Sequence, residues 1–172
     1  MKKILDVGCG NHKMPGATGI DISIGTHADI IHDLNRRPWP FNDNSFDEII
    51  CNDIIEHLDD VVGVMEELHR IGKSGALVRI RVPHFSSHNS FGDVTHKHLF
   101  NSNAFDVFCQ QNATQNHYFS KRFKKCRVCL RFGKLYALLA PLINLRRESY
   151  ERYFAFVIPA GNIELTLQVE KE

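Results

Sequence analysis

The sequence lacks an apolar run long enough to cross a bilayer. Its longest lies near residues 135–145 and contains Pro141; a spanning helix needs roughly 20 residues. An apolar leader is missing too. Met1-Lys2-Lys3-Ile4-Leu5 meets Asp6 at once, whereas a secretory signal needs about 7–15 apolar residues in a row. The expectation is a cytoplasmic protein. A large charge of one sign is also absent. The formal net charge is +1, so only a local patch can argue for nucleic acid or an acidic partner. Cysteine is sparse and odd in number: Cys9, Cys51, Cys109, Cys126 and Cys129. That count favours reduced thiols. Cys126-x-x-Cys129 has no second pair, and structural zinc wants four ligands. Repeats and low-complexity linkers are missing as well. One domain over 1–172 is then the simplest account.

What is present alternates. Lys3–Val7, Thr18–Ile22, Ala28–Ile31, Phe46–Cys51 and Ala76–Val82 read as strands. Between the last two, Val61, Val64, Met65, Leu68 and Ile71 recur at helical spacing. Asp59 or Asp60 can cap that helix, and Gly72 sits where a C-cap belongs. Strands alternating with helices predict parallel βαβ units in an open α/β sheet. Residues 84–102 read as a long polar loop with at most one helical turn. Asn103–Gln110 reads as a short helix and His117–Phe123 as a strand. Residues 130–147 read as an apolar helix interrupted at Pro141, and 121–150 together as a lid-like insertion. Tyr153–Ile158 and Ile163–Val169 read as two terminal strands.

In an open parallel sheet, ligands bind beyond the carboxyl ends of the strands. Asp6, Asp21, Asp33 and Asn52 fall at four such ends. Gly8-x-Gly10 permits a tight turn and a close backbone approach. A dinucleotide fingerprint wants a third small residue at position 13, which is Lys13, and an acid about 20 positions on, whereas Asp21 comes sooner. Pro15 and Gly16 leave little room for a phosphate-binding helix. A cationic nucleoside without phosphate suits such a site better.

Ile4-Leu5-Asp6-Val7-Gly8-Cys9-Gly10 resembles the first motif of class I S-adenosylmethionine-dependent methyltransferases. Gly19-Ile20-Asp21-Ile22 resembles the second, and Ala28–Leu34 the third. Phe41–Ile50 and Ile54-Ile55-Glu56-His57-Leu58 are similar to the fourth strand and the segment after it. The resemblance implies a Rossmann-like seven-stranded sheet, mostly parallel, with an antiparallel last strand and flanking helices. It implies S-adenosylmethionine as cofactor, held by Asp6, Gly8, Cys9 and Gly10. Asp21 and Ile22 would face the ribose side, Asp33 and Leu34 the adenine, and Asn52, Asp53 and His57 the methionine moiety. The stretch from Gly10 to Gly19 is short for the family, so the first helix is expected to shrink to a turn.

The methyl acceptor is a separate question. A hydroxyl acceptor needs a general base, and histidine titrates near the right pH. The segment after the fifth strand offers His84, His88, His96 and His98, with Asp93. His84 or His96 is the expected base, and His88, Asp93 and His98 the expected acceptor-binding groups. Structural histidines are an alternative reading. So is a metal held by His96-x-His98 with His84 or Asp93, although no metal site is assigned. Pro83–Ser87 and Asp93–His98 resemble a methyltransferase subgroup associated with surface polysaccharides, which points to a small or glycan-type acceptor. RNA or protein methylation, or a non-catalytic nucleoside-binding module, are the alternatives.

Lys121, Arg122, Lys124, Lys125, Arg127, Arg131 and Lys134 occur with no acid among them, and the apolar segment follows. This reads either as a lid helix with a solvated basic edge or as a surface for anionic membrane. Few aromatics interleave, which argues against nucleic acid. The apolar part can also form an oligomer contact.

Overall fold

A computed structural model describes residues 2–109 and 122–171. Its centre is a seven-stranded sheet in the order β3-β2-β1-β4-β5-β7-β6. The strands are β1 (Ile4–Val7), β2 (Thr18–Asp21), β3 (Ile30–Ile31), β4 (Phe46–Asn52), β5 (Gly72–Pro83), β6 (Arg122–Arg131) and β7 (Asn162–Glu170). β1 to β5 pair in parallel, and β7 runs antiparallel to both β5 and β6. Leu5, Val7, Ile49, Ile50 and Cys51 are all buried, as central parallel strands require. Along β7, Ile163, Leu165, Leu167 and Val169 are buried and alternate with polar residues. That period of two turns one face to the core. No helix forms between β1 and β2, where the chain makes only turns.

Helix α1 (Val61–Ile71) begins at Asp60, whose carboxylate accepts from Gly63 N (3.0 Å). Val64, Met65, Leu68 and Ile71 are its buried face. Each such side chain contributes about 1.5–3 kcal/mol on burial. Gly72 is the C-cap but has an extended backbone, and the chain enters β5 without a loop. Its need for glycine is steric: a Cβ there would lie 3.0 Å from both Leu68 O and Val169 Cγ2.

After β5 come α2 (His88–Gly92), a 3-10 turn at Asp106–Phe108, a second at Lys134–Leu139, then α3 (Ala140–Leu145) and α4 (Arg147–Tyr153). Three sequence expectations change here. The lid-like insertion over 121–150 is not one unit, because Arg122–Arg131 forms β6 inside the sheet. Its basic residues hid a strand pattern in which Phe123 and Leu130 are fully buried against β7. Lys125 and Arg131 are neutralised by Asp106 and Glu164, each at 2.6 Å. Pro141 starts α3 rather than interrupting a longer helix, since proline is tolerated in a first turn. Tyr153–Ile158 is no strand: amides of Val157 and Ile158 both bond to Phe154 O, closing the chain into turns. Expected features at Gln110, 117–121 and Lys121 lie outside the described residues.

The single tryptophan fastens the loop between β3 and β4. Trp39 is buried, its ring N–H donates to Leu34 O (3.0 Å), and its amide donates to Glu67 Oε2 (2.7 Å). Arg70 ties the same carboxylate to Asp43 and to the Phe41 and Trp39 carbonyls. Burial raises the Glu67 pKa, but bonds from Arg70 and the Trp39 amide outweigh it, leaving the carboxyl below its ordinary value. A lowered folded-state pKa stabilises above the unfolded value and loses that stabilisation as pH falls through the folded one. Stability should therefore drop below about pH 4. Glu67→Gln should flatten that acid limb in urea titrations and cost about 1–3 kcal/mol at neutral pH.

Candidate methyltransferase site

From β1 the chain steps to β2 and β3 on one side, then returns to β4 on the other side of β1. The two directions part at the carboxyl ends of β1 and β4, where an open α/β sheet has its crevice. Gly8 and Gly10 turn there with φ of 65° and 50°. A Cβ on Gly8 would lie 2.4 Å from Ile54 Cγ1, so the loops after β1 and β4 touch through this glycine. A Cβ on Gly10 would meet nothing within 4 Å. Cys9 faces inward; its Sγ would lie 2.7 Å from a Cβ on Gly19.

Asp21 clasps the loop. Its Oδ2 accepts from Gly10 N and its Oδ1 from Ser23 N, both at 2.9 Å. A carboxylate has about four lone-pair sites, so further acceptor capacity remains. Ile22 beside it is exposed. Asp6 is buried and holds the far end of the loop through Met14 N (2.7 Å). Burial raises its pKa, while the Met14 amide and Lys13 pull it down. Its side chain therefore positions the loop. Asp33 Oδ1 accepts from Asn35 N (3.0 Å). The Leu34 side chain is buried, so only its backbone can face a ligand. Sequence reasoning missed Asp29, which pairs with Lys13 (2.8 Å) and accepts from Gly19 N (2.7 Å). Lys13 thus closes the turn that replaces the first helix.

Asn52 ends β4 and is exposed. Asp53 follows with φ 52° and pairs with Arg81. It leads into a cavity of about 440 Å³, whose walls include Asp53, Glu56, His57, His88, Asp93 and His96. The loop 93–98 is stitched onto the 3-10 turn Ile55–His57 and its flank. Lys97 N donates to Glu56 O (2.8 Å), Lys97 Nζ pairs with Asp59 (2.6 Å), and the His98 ring bonds Leu58 O (2.8 Å). Thr95 Oγ1 donates to Asp93 Oδ1 (2.6 Å) and is 2.9 Å from His57 Nδ1. A hydroxyl has one proton, so Nδ1 donates to Thr95, which in the neutral imidazole puts the lone pair on Nε2.

These contacts set His57 and His96 edge to face at 4.7 Å between ring centres. Glu56 is fully buried beside them, and among the described residues no other residue bonds its carboxyl oxygens. Burial lifts its carboxyl to about 7, and neighbouring Asp53 pushes the same way. Sequence reasoning quoted Glu56 within a motif and gave it no role. An acid among Ile54, Ile55 and Leu58 was the available signal.

The expectation of an acceptor-facing base at His84 is not met. His84 is fully buried. Ser86 N donates to its Nδ1 (3.2 Å), and its Nε2 bonds Glu151 Oε1 (3.2 Å). Ser102 N also donates to that oxygen (2.7 Å). His84 therefore fastens the loop after β5 to α4. His98 is also off the cavity, with its ring committed to Leu58 O.

A family profile described as a methyltransferase domain matches residues 5–80. That span carries the glycine loop, Asp21 and the crevice between β1 and β4. That match, covering a little under half of the chain, together with the shared fold supports the class I S-adenosylmethionine-dependent methyltransferase superfamily. It is an enzyme of that kind, and the family implies S-adenosylmethionine as cofactor. Among curated proteins, none matches the chain in sequence. Solved structures share its fold. A methyltransferase from Archaeoglobus fulgidus has a TM-score of 0.66 at 16% identity, covering 97% of this chain and 86% of that one. A complex between the Haloferax volcanii Trm112 methyltransferase activator and a chain assigned as a methyltransferase gives 0.63 at 15%, with 99% and 83% covered. The cyclase SpnF gives 0.62 at 14%, with 99% and 76% covered.

The crevice fits this cofactor. Gly10 leaves open space, Asp21 has lone pairs for hydroxyls, and exposed Ile22 offers apolar surface beside it. The two glycines should then fail differently. Gly8→Ala combines a left-handed backbone, costing about 1–2 kcal/mol, with the Ile54 clash, and should lower the thermal midpoint more. Gly10→Ala should carry the backbone cost alone yet weaken S-adenosylmethionine binding in calorimetry. Equal melting of both variants would contradict the Ile54 contact.

Proposed function

We propose that the enzyme methylates an oxygen acceptor, small or glycan-type, bound in the cavity beside β4. The supporting observation is the wall formed by Glu56, His57 and His96, where carboxylate and imidazole groups converge without partners among themselves. S-adenosylmethionine supplies a methyl carbon already activated by its sulfonium. The chain then has to align the acceptor at about 3–3.5 Å, keep water out, and hold the proton that the acceptor loses. Asp21 is assigned to the ribose hydroxyls, Asp33 to the adenine side, and Asn52 and Asp53 to the methionine side. His88 and Asp93 line the cavity and are assigned to the acceptor. His84 has no part in the chemistry.

A panel of hydroxylated acceptors with labelled S-adenosylmethionine should release S-adenosylhomocysteine. Asp21→Ala should weaken cofactor binding about 10–100-fold, the equivalent of one charge-assisted hydrogen bond. His96→Ala should spare that affinity and slow transfer about 100-fold or more. Transfer to nitrogen acceptors only would overturn the oxygen assignment. Binding without turnover would favour the non-catalytic alternative.

A second reading concerns where the acceptor is met. Leu135, Leu138, Leu142 and Leu145 project from the 3-10 turn and α3, with Leu138 94% exposed. Lys134 and Arg146 flank them, and no acid occurs from Lys134 to Arg147. Exposed leucines between cations fit an anionic lipid surface, as a lipid-linked acceptor would require. Co-sedimentation should rise when phosphatidylglycerol is added to neutral vesicles, and Leu138→Asp should abolish it. A solution dimer that Leu138→Asp splits would instead give this face to a second copy.

A further inference from the structure

We infer that Glu56, His57 and His96 form a binding site for a divalent transition-metal ion, with zinc the best match. Glu56 comes from the turn after β4, His57 follows it, and His96 arrives on the loop stitched across them. One ligand atom from each lies within 4.8 Å of the others. Buried polar atoms rarely go without partners. Among the described residues, those that do are Glu56 Oε1 and Oε2, His96 Nδ1 and Arg147 Nε. All but the last sit in this cluster. Three groups that face one another without bonding have the arrangement of a ligand set.

The surroundings point the same way. A metal-bound histidine usually donates its other ring nitrogen to a carboxylate or hydroxyl, which fixes its tautomer. His57 does this through Thr95 and Asp93, leaving Nε2 as the lone-pair nitrogen. The donor set is two imidazoles and one carboxylate. That set suits zinc and its first-row neighbours, whereas magnesium prefers oxygen alone. Three protein ligands leave a position open, and the cluster opens onto the cavity. The site is not the one that sequence spacing suggested. His98 is bonded to Leu58 O, and His84 is held by Ser86 and Glu151.

The role of the ion rests on the oxygen-acceptor reading; its binding does not. An acceptor hydroxyl on the open position has its pKa lowered. Its proton passes to His88 on the cavity wall, outside the ligand set, and its oxygen is left ready to take the methyl group.

The test uses untagged full chain, stripped with chelator and titrated calorimetrically with zinc chloride, manganese chloride and magnesium chloride. Zinc should bind at a single site, manganese more weakly, and magnesium not measurably. Cobalt loading should give a visible absorption band sensitive to the open position. His57→Ala and His96→Ala should weaken zinc binding about 100-fold or more, beyond the 10–100-fold typical of outer-shell changes. Glu56→Gln should weaken it too while melting no lower than the parent, because it removes a buried unpartnered acid. His98→Ala should keep the metal. No saturable zinc binding, or binding that survives Glu56→Gln and His96→Ala, would overturn the site. Affinity for S-adenosylmethionine is measured on the same samples. Zinc bound without methyl transfer to oxygen would remove the acceptor reading and leave the metal site standing.

Discussion

The return of the chain from β3 across β1 to β4 is the constraint on which the rest depends. It parts the connections at the carboxyl ends of two adjacent strands, so neither loop can cover the other. Gly8 lets those loops meet at Ile54, where any side chain would collide. The donor crevice is thus a gap that topology opens and one missing methyl group keeps narrow. The turn before β2 has no helix to hold it, and carboxylates do that work instead. Asp6 holds Met14, Asp21 holds Gly10 and Ser23, and Asp29 holds Gly19 and Lys13.

Those acids contrast with Glu56. Asp6, Asp21 and Asp29 each accept backbone N–H groups, which offsets the cost of taking charge out of water. Glu56 is more enclosed than half-buried Asp21 or exposed Asp29, and among the described residues no neighbour bonds its carboxyl oxygens. A buried charge without a partner costs several kcal/mol, and a protein avoids that by protonation or by pairing. Its carboxyl raised to about 7 is the first response; a bound cation is the second. Either one makes Glu56 a chemical group rather than a structural one.

The glycine loop and its flanking strands were legible in the sequence because their signals are local. Gly8, Gly10 and Asp21 lie within one β-turn-β unit, and short apolar runs ending in Asp marked the strand ends. The cavity beside β4 was not. His84 and His96 look alike in sequence, both in a polar stretch after β5. Glu151, in α4, removes one from the solvent, and Glu56, before α1, receives the other. Such partners lie 67 and 40 residues away along the chain, beyond any spacing rule. β6 was missed for another reason: exposed Arg122, Lys124, Arg127 and Arg131 make it read as a basic stretch, and the bulge between Lys125 and Arg127 breaks its alternation.

The two halves of the site are built by separable parts of the chain. Residues 5–80 carry the match to the family and form the crevice between β1 and β4. The cavity beside β4 takes His88, Asp93 and His96 from beyond that span. Bonds from Thr95, Lys97 and His98 to the segment 57–59 and to Glu56 O fix the second part against the first. Changing the loop after β5 can therefore reshape that cavity without disturbing Asp21 or the glycines. Neighbours of the same fold include a cyclase as well as methyltransferases, as expected where the fold sets the crevice and the appended loop sets the chemistry. In this chain that loop places imidazoles over a buried carboxylate, and this pairing sets the cavity apart from the crevice of the glycine loop.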